Sequence, residues 1–174
     1  REQRYPTWEA FAHDLAQAVR SRQLLTPRVD FADTEKSAIL RSLPFFADFS
    51  DVEIWEVLRF SQWRHVQPGT VIMRDGEPGD FFCFLAEGEL QVSKHGKPLS
   101  RLTQGACFGE MALLGRKPLK RSADVATVTD ADIVIVRGEA LQKSSEACRM
   151  HFYQAFVDVL ASRLAVANQR LSSN

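Results

Sequence analysis

The sequence has little cysteine, and what it has is poorly spaced for cross-linking. Cys83, Cys107 and Cys148 are odd in number and form no C-x-x-C pair, which argues against a disulfide scaffold or a cysteine zinc site and fits a reducing cytoplasm. Net charge is also missing. The 22 Lys and Arg residues balance 22 Asp and Glu residues, so no overall field draws the chain to DNA or to a membrane surface. No apolar run approaches the length that crosses a bilayer. The opening Arg1-Glu2-Gln3-Arg4 has neither the apolar core of a signal peptide nor an initiator Met, which suggests a piece of a longer protein. Catalytic signatures are absent as well: there is no G-x-S-x-G, H-E-x-x-H or P-loop, and His13, His65, His95 and His151 lie in different segments without metal-ligand spacing. Neither an enzymatic activity nor a metal is expected.

What is present is enough apolar residue, 45% of 174, for one domain with helical additions. Three textures follow one another. Thr7, after Pro6, caps a helical pattern of Trp8, Phe11, Leu15, Ala18 and Val19, and the stretch around Pro27 reads as a linker. A second helix follows Asp33 with Ile39, Leu40 and Leu43 on its apolar face and stops at Pro44. Ser50 caps a third, with Asp51 and Glu53 in its first turn. From about Ser61 to Arg137, short β-rich runs alternate with glycine turns, the pattern of an antiparallel barrel or jelly roll. His95-Gly96 marks a hairpin turn. Cys83 and the Phe81-Phe82-Phe84 run read as barrel core, and His65 as a residue on the barrel surface. The remainder is helical. Tyr153, Val157, Leu160, Leu164, Ala167 and Leu171 form a heptad seam, which fits a helix packed on its own barrel or one paired with its twin in a dimer.

The fold expected is therefore mainly β with flanking helices: an antiparallel β jelly-roll barrel with N-terminal helices and a C-terminal helix that serves as lid or dimer helix. The expected division is an N-terminal helix and linker to an upstream region over 1–32, a helical lead-in over 33–60, the barrel over 61–138 and C-terminal helices over 139–174.

One interruption in the barrel, residues 105–125, carries the chemistry. Gly109-Glu110 opens a helical turn inside strand-rich sequence, and a helix start offers free N–H groups and partial positive charge to an anion. Gly109 lets the backbone come close to a phosphate, Arg121 has a planar fork for two phosphate oxygens, and Glu110 accepts from a sugar hydroxyl. Together these describe a ribose-phosphate pocket; the competing reading is an ordinary surface ion pair between Glu110 and Arg121. The basic loop Gly115 to Arg121 reads as solvated chain next to the anion pocket.

Phe108-Gly109-Glu110-Met111-Ala112-Leu113-Leu114 with Arg121-Ser122-Ala123 resembles the phosphate-binding cassette of cyclic-nucleotide-binding domains, the family that includes protein kinase A regulatory subunits, the catabolite activator protein and cyclic-nucleotide-gated channels. Leu43-Pro44-Phe45-Phe46, Gln67 to Ile72, Asp75 to Asp80 and Phe84 to Leu90 are similar to its earlier segments. The resemblance implies a cAMP or cGMP ligand, cAMP slightly favoured. It places the ribose 2′-hydroxyl on Glu110 and the cyclic phosphate on Arg121, with further donors from Gly109, Glu110, Met111, Ala112, Ser122 and Ala123. Arg163, Leu164 or Asn168 would face the base. Two features depart from the pattern: ten residues separate Glu110 from Arg121, and Asp124 stands where the family often has Thr or an apolar residue. On a continuous strand Asp124 would share a face with Ser122 and repel a phosphate. The resemblance further implies a regulatory sensor joined to an upstream effector, with a protein kinase as one candidate, and a homodimer through the C-terminal helix. The alternatives are an interaction module with a degenerate pocket and the sensor half of a transcription regulator; the chain itself shows no basic recognition helix and is not expected to bind DNA.

Overall fold

The computed structural model describes residues 32–114 and 120–172. The helix expected over Tyr5 to Arg20, the linker around Pro27 and residues 115–119 of the basic loop lie outside the described residues.

The lead-in is helical, as its capping signals dictate. Helix α1 (Asp33–Ser42) gives way at Leu43, because the residue before a proline is driven out of the helical region, and a short 3-10 turn (Pro44–Phe46) follows. Helix α2 (Asp51–Phe60) begins with a reciprocal cap: the Glu53 carboxylate accepts from the Ser50 N–H at 2.7 Å, and the Ser50 hydroxyl oxygen accepts from the Glu53 N–H at 3.4 Å.

Among the described residues eight strands follow: β1 (Gln62–Val66), β2 (Val71–Met73), β3 (Phe81–Glu87), β4 (Leu90–Lys94), β5 (Lys97–Leu102), β6 (Cys107–Phe108), β7 (Asp124–Thr127) and β8 (Ala131–Arg137). They form two four-stranded antiparallel sheets, in the orders β1-β8-β3-β6 and β2-β7-β4-β5. This is the antiparallel β fold with flanking helices that the turn spacing predicts. The β4–β5 turn is His95-Gly96, with both φ angles positive at 51° and 75°, the geometry that matches the twist of a two-residue hairpin. A short helix α3 (Met111–Leu114) interrupts the strands, and α4 (Gly138–Gln142) and α5 (Glu146–Ser172) follow β8.

The central strands β3 and β8 have two buried faces. Cys83, Leu85, Ile133 and Ile135 point between the sheets, where they meet Val66, Ile72, Leu90, Phe108 and Val125. Phe82, Phe84, Val134 and Val136 point the other way, into a second core shared with the helices. This corrects the assignment of the whole phenylalanine run to the barrel interior. Strand alternation sends Phe82 and Phe84 outward, where they join Phe45, Phe46, Phe49, Phe152 and Phe156. Phe84 lies 4.7 Å from both Phe45 and Phe46, and Phe82 lies 5.1 Å from Phe156, centroid to centroid. Seven rings thus bolt the lead-in and the start of α5 onto one sheet.

Helix α5 packs through Cys148, Phe152 and Phe156, with Ala155 and Val159 at the margin. The heptad seam is a different face. Val157 is 64% and Leu164 62% exposed, and Tyr153, Ala167 and Leu171 are exposed too, with only Leu160 of the seam half-buried, so most of the seam is left uncovered by the barrel. Polar contacts fix the helix start: Glu56 accepts from the Ser145 N–H and hydroxyl at 2.6 and 2.7 Å, and His151 Nδ1 lies 2.7 Å from Glu53. Burial alone would raise the Glu53 pKa. The hydrogen bonds from Ser50 and His151 together outweigh burial and hold it below the usual carboxylate value.

Phe152→Ala should therefore cost about 3–5 kcal/mol in urea denaturation, whereas Val157→Ala should change stability by less than about 0.5 kcal/mol at low protein concentration. A cost at Val157 that grows with protein concentration would mark its face as covered by another chain.

Candidate functional site

The site forms where the sheets part, around the turn from β6 into α3. Gly109 makes the turn at φ +82°, and a methyl group there would lie 2.5 Å from Met73 Cε and 2.7 Å from Arg121 Nη1. Backbone conformation and crowding both call for glycine at this position. Opposite, the β2–β3 loop grips the backbone of Arg121 from both sides: the Arg121 N–H donates to Glu77 O at 2.7 Å, and the Gly76 N–H donates to Arg121 O at 2.8 Å. The side chain turns inward. Nη1 donates to Gly109 O at 2.8 Å, Nη2 donates to Phe81 O at 2.7 Å, and the guanidinium lies 4.5 Å from the centre of the Phe81 ring.

Arg121 is only 6% exposed, and among the described residues no carboxylate lies within 4.0 Å of it. Burial pulls its pKa below the usual arginine value. Glu110 is 1% exposed. Its Oε1 accepts from Arg163 Nη1 of α5 at 2.5 Å, while its Oε2 is buried and has no hydrogen-bond partner among the described residues. Arg163 Nη2 also donates to Cys107 O. The surface ion-pair alternative is thus overturned: Glu110 and Arg121 are both buried and each is held by other groups. Both face a cavity of about 200 Å³, together with Gly109, Met111, Ser122, Ala123 and Arg163. Its walls between the sheets are apolar, built from Met73, Val92, Leu102, Phe108 and Val125.

Six of the expected residues (Gly109, Glu110, Met111, Arg121, Ser122 and Ala123) therefore line one cavity, and Ala112 is the second residue of α3. Of the three α5 residues expected at the base, Arg163 reaches the cavity but binds Glu110, whereas Leu164 and Asn168 are exposed. The apolar wall from β2, β4 and β5 was not singled out from sequence; strand alternation alone does not reveal which end of a barrel stays open. Asp124 is not among the residues that line the cavity. Regular strand geometry begins only at Asp124, so the alternation that would pair it with Ser122 does not run back through Ala123. Its Oδ1 instead accepts from the Asp75 N–H at 2.9 Å.

Outside the cavity, His65 lies on β1 with Nδ1 2.8 Å from Asp132 and Nε2 3.5 Å from Asp130. The Asp132 hydrogen bond is the main cause of its raised pKa. Among the described residues no group of His, Cys, Asp and Glu is arranged to hold a metal ion, and no helix is long and apolar enough to cross a membrane.

A buried guanidinium and an orphaned carboxylate oxygen in one cavity suit a ligand with an anion at one end and a hydroxyl at the other. Residues 63–147 match the profile of the cyclic nucleotide-binding domain, and this region belongs to that family. A cAMP-dependent protein kinase regulatory subunit from Yarrowia lipolytica is 31% identical over 106 residues, covering 60% of this chain and 28% of that protein. Glutaminase 1 from Bradyrhizobium diazoefficiens is 34% identical over 151 residues, covering 82% of this chain and 23% of that protein. The chain thus spans less than a third of either relative. The crystal structure of a cyclic nucleotide-binding domain from Methylobacillus flagellatus shares the fold, with a TM-score of 0.72 at 21% identity over 85% of this chain and 89% of that one.

Gly109→Ala should destabilise the protein more than Gly69→Ala. Both positions have positive φ, but at Gly69 an added methyl meets nothing within 4 Å. The strain common to both is about 1–3 kcal/mol, and the excess at Gly109, read from paired thermal melts, reports the crowding by Met73 and Arg121. Equal costs would show that those side chains yield freely.

Proposed function

We propose that this chain is the cyclic-nucleotide sensor of a larger bacterial signalling protein and performs no catalysis itself. The observation that carries this is the buried Arg121 guanidinium, bonded to carbonyl oxygens with no carboxylate within 4.0 Å among the described residues, sharing a cavity with Glu110 Oε2, which has no hydrogen-bond partner among them. The cyclic phosphate takes the Arg121 fork, bound by charge-assisted hydrogen bonds. The ribose 2′-hydroxyl donates to Glu110 Oε2. Backbone groups of Gly109, Glu110, Met111 and Ala112, with Ser122 and Ala123, complete the site. The apolar walls receive the base, of cAMP or cGMP, with cAMP slightly favoured.

Arg163 supports a route from ligand to effector. It is the contact from the distal half of α5 into the cavity, and it lands on the carboxylate that takes the sugar. A ligand at Glu110 therefore acts on α5 directly, and any difference in its affinity for two helix positions shifts their populations. The exposed apolar seam of α5 supports a homodimer through that helix. The buried free thiols suit a reducing cytoplasm. The effector is another part of the full-length protein. A kinase remains a candidate, and the alignment with the Bradyrhizobium glutaminase, which spans 82% of this chain but 23% of that protein, favours an enzyme of small-molecule metabolism.

Calorimetric titration of cAMP, cGMP and cyclic dinucleotides into the parent and Arg121→Ala proteins tests this proposal. Micromolar or tighter binding of cAMP or cGMP is expected, weakened by at least about 100-fold in the variant. Absence of heat and of thermal shift with every nucleotide would overturn it.

A further inference from the structure

Asp124 is the residue that departs from the cassette pattern, and its placement gives it a task. Its carboxylate leaves the cavity and ties the Asp75 N–H at 2.9 Å. Asp75 belongs to the loop between β2 and β3, the same loop that clasps the Arg121 backbone through Glu77 O and the Gly76 N–H. The Asp75 side chain in turn faces the tip of the β4–β5 hairpin: Oδ1 is 3.6 Å from Lys94 Nζ and Oδ2 is 3.6 Å from His95 Nε2. Lys94 Nζ closes the ring by donating to Ser122 O at 2.9 Å. Residues 121–124 are thus buttressed from behind by a loop and a hairpin, and Asp124 is the strap that holds the loop in place.

We propose that Asp124 is a positioning residue of the anion site: by fixing the Asp75 turn it fixes the backbone of Arg121, and so aims the guanidinium fork into the cavity. This rests on the cyclic-nucleotide reading above for its ligand, but not for its geometry. The strap needs a hydrogen-bond acceptor at position 124, not a charge. Its predicted signature is therefore the opposite of that of a carboxylate that merely repels phosphate. Asp124→Asn keeps an acceptor and preserves the site, whereas Asp124→Ala releases the loop.

Two readouts on the parent and both variants decide the matter. The first needs no ligand: NMR relaxation of the Arg121 Nε–H group, assigned with Arg121→Lys, should show a rigid side chain in the parent and in Asp124→Asn and a more mobile one in Asp124→Ala. The second is calorimetry with cAMP and with its two phosphorothioate diastereomers, which differ in the phosphate oxygen replaced by sulfur. Asp124→Ala should lose about tenfold in affinity for cAMP, the scale of one released hydrogen bond, and its preference between the diastereomers should shrink. Asp124→Asn should stay within about threefold of the parent, well under one hydrogen bond. A merely structural role would lower the melting temperature without touching the diastereomer ratio. The proposal is overturned if Arg121 is equally rigid in all three proteins, or if Asp124→Asn tightens binding, which would identify the carboxylate as a source of repulsion. Should the parent bind no nucleotide, the sensor reading falls, and the Arg121 relaxation data still decide the role of Asp124.

Discussion

A guanidinium taken out of water without a carboxylate beside it is an expensive thing to bury, and much of this architecture exists to hold one. Arg121 sits against the Phe81 ring and two backbone carbonyls, behind a glycine where an added methyl would crowd Met73 and Arg121 itself. The buried acid in the same cavity does not neutralise it at ion-pair distance; Glu110 is committed to Arg163 through one oxygen and leaves the other unpartnered. The cavity therefore keeps a positive pole and an acceptor pole apart, beside walls that are apolar between the sheets. Low polarity around such groups strengthens whatever interaction finally satisfies them. This gives the membership in the cyclic-nucleotide-binding family its physical content.

The helices relate to this cavity in two different ways. The first half of α5 is clamped to the outer face of one sheet by the phenylalanine cluster and by Glu53 and Glu56. Residues 161–169 are all exposed, and Arg163 is the point at which this distal half touches the cavity. A rigid base with a loosely held far end is the arrangement in which a small change at Glu110 is translated into helix position, as the proposed sensor requires.

Much of this was legible from sequence, for identifiable reasons. Ser50 with Glu53, Leu43-Pro44 and His95-Gly96 are local signals whose geometry follows from backbone chemistry alone, and each stands where it was expected. The cassette is legible because Phe108-Gly109-Glu110 and Arg121-Ser122-Ala123 resemble that of cyclic-nucleotide-binding domains, although the ten residues between Glu110 and Arg121 depart from the pattern. What was hidden depends on contacts distant in sequence. The run from Phe81 to Leu85 is apolar on both faces, so its periodicity gives no hint that Phe82 and Phe84 belong to the helical side. Arg163 was among the residues expected at the pocket, but its partner lies 53 positions away on another element. Strand alternation extended back through Ala123 predicts a repelling Asp124, but the chain is not yet a strand there, and the hydrogen bond from Asp75 to Asp124 spans 49 positions.

The most direct test of the central claim is a crystal structure of the chain with cAMP or cGMP bound. The account predicts an exocyclic phosphate oxygen within hydrogen-bonding distance of the Arg121 guanidinium and the 2′-hydroxyl on Glu110 Oε2, with the base between the apolar walls. A nucleotide bound elsewhere on the surface, or one in the cavity whose phosphate avoids Arg121, would contradict it.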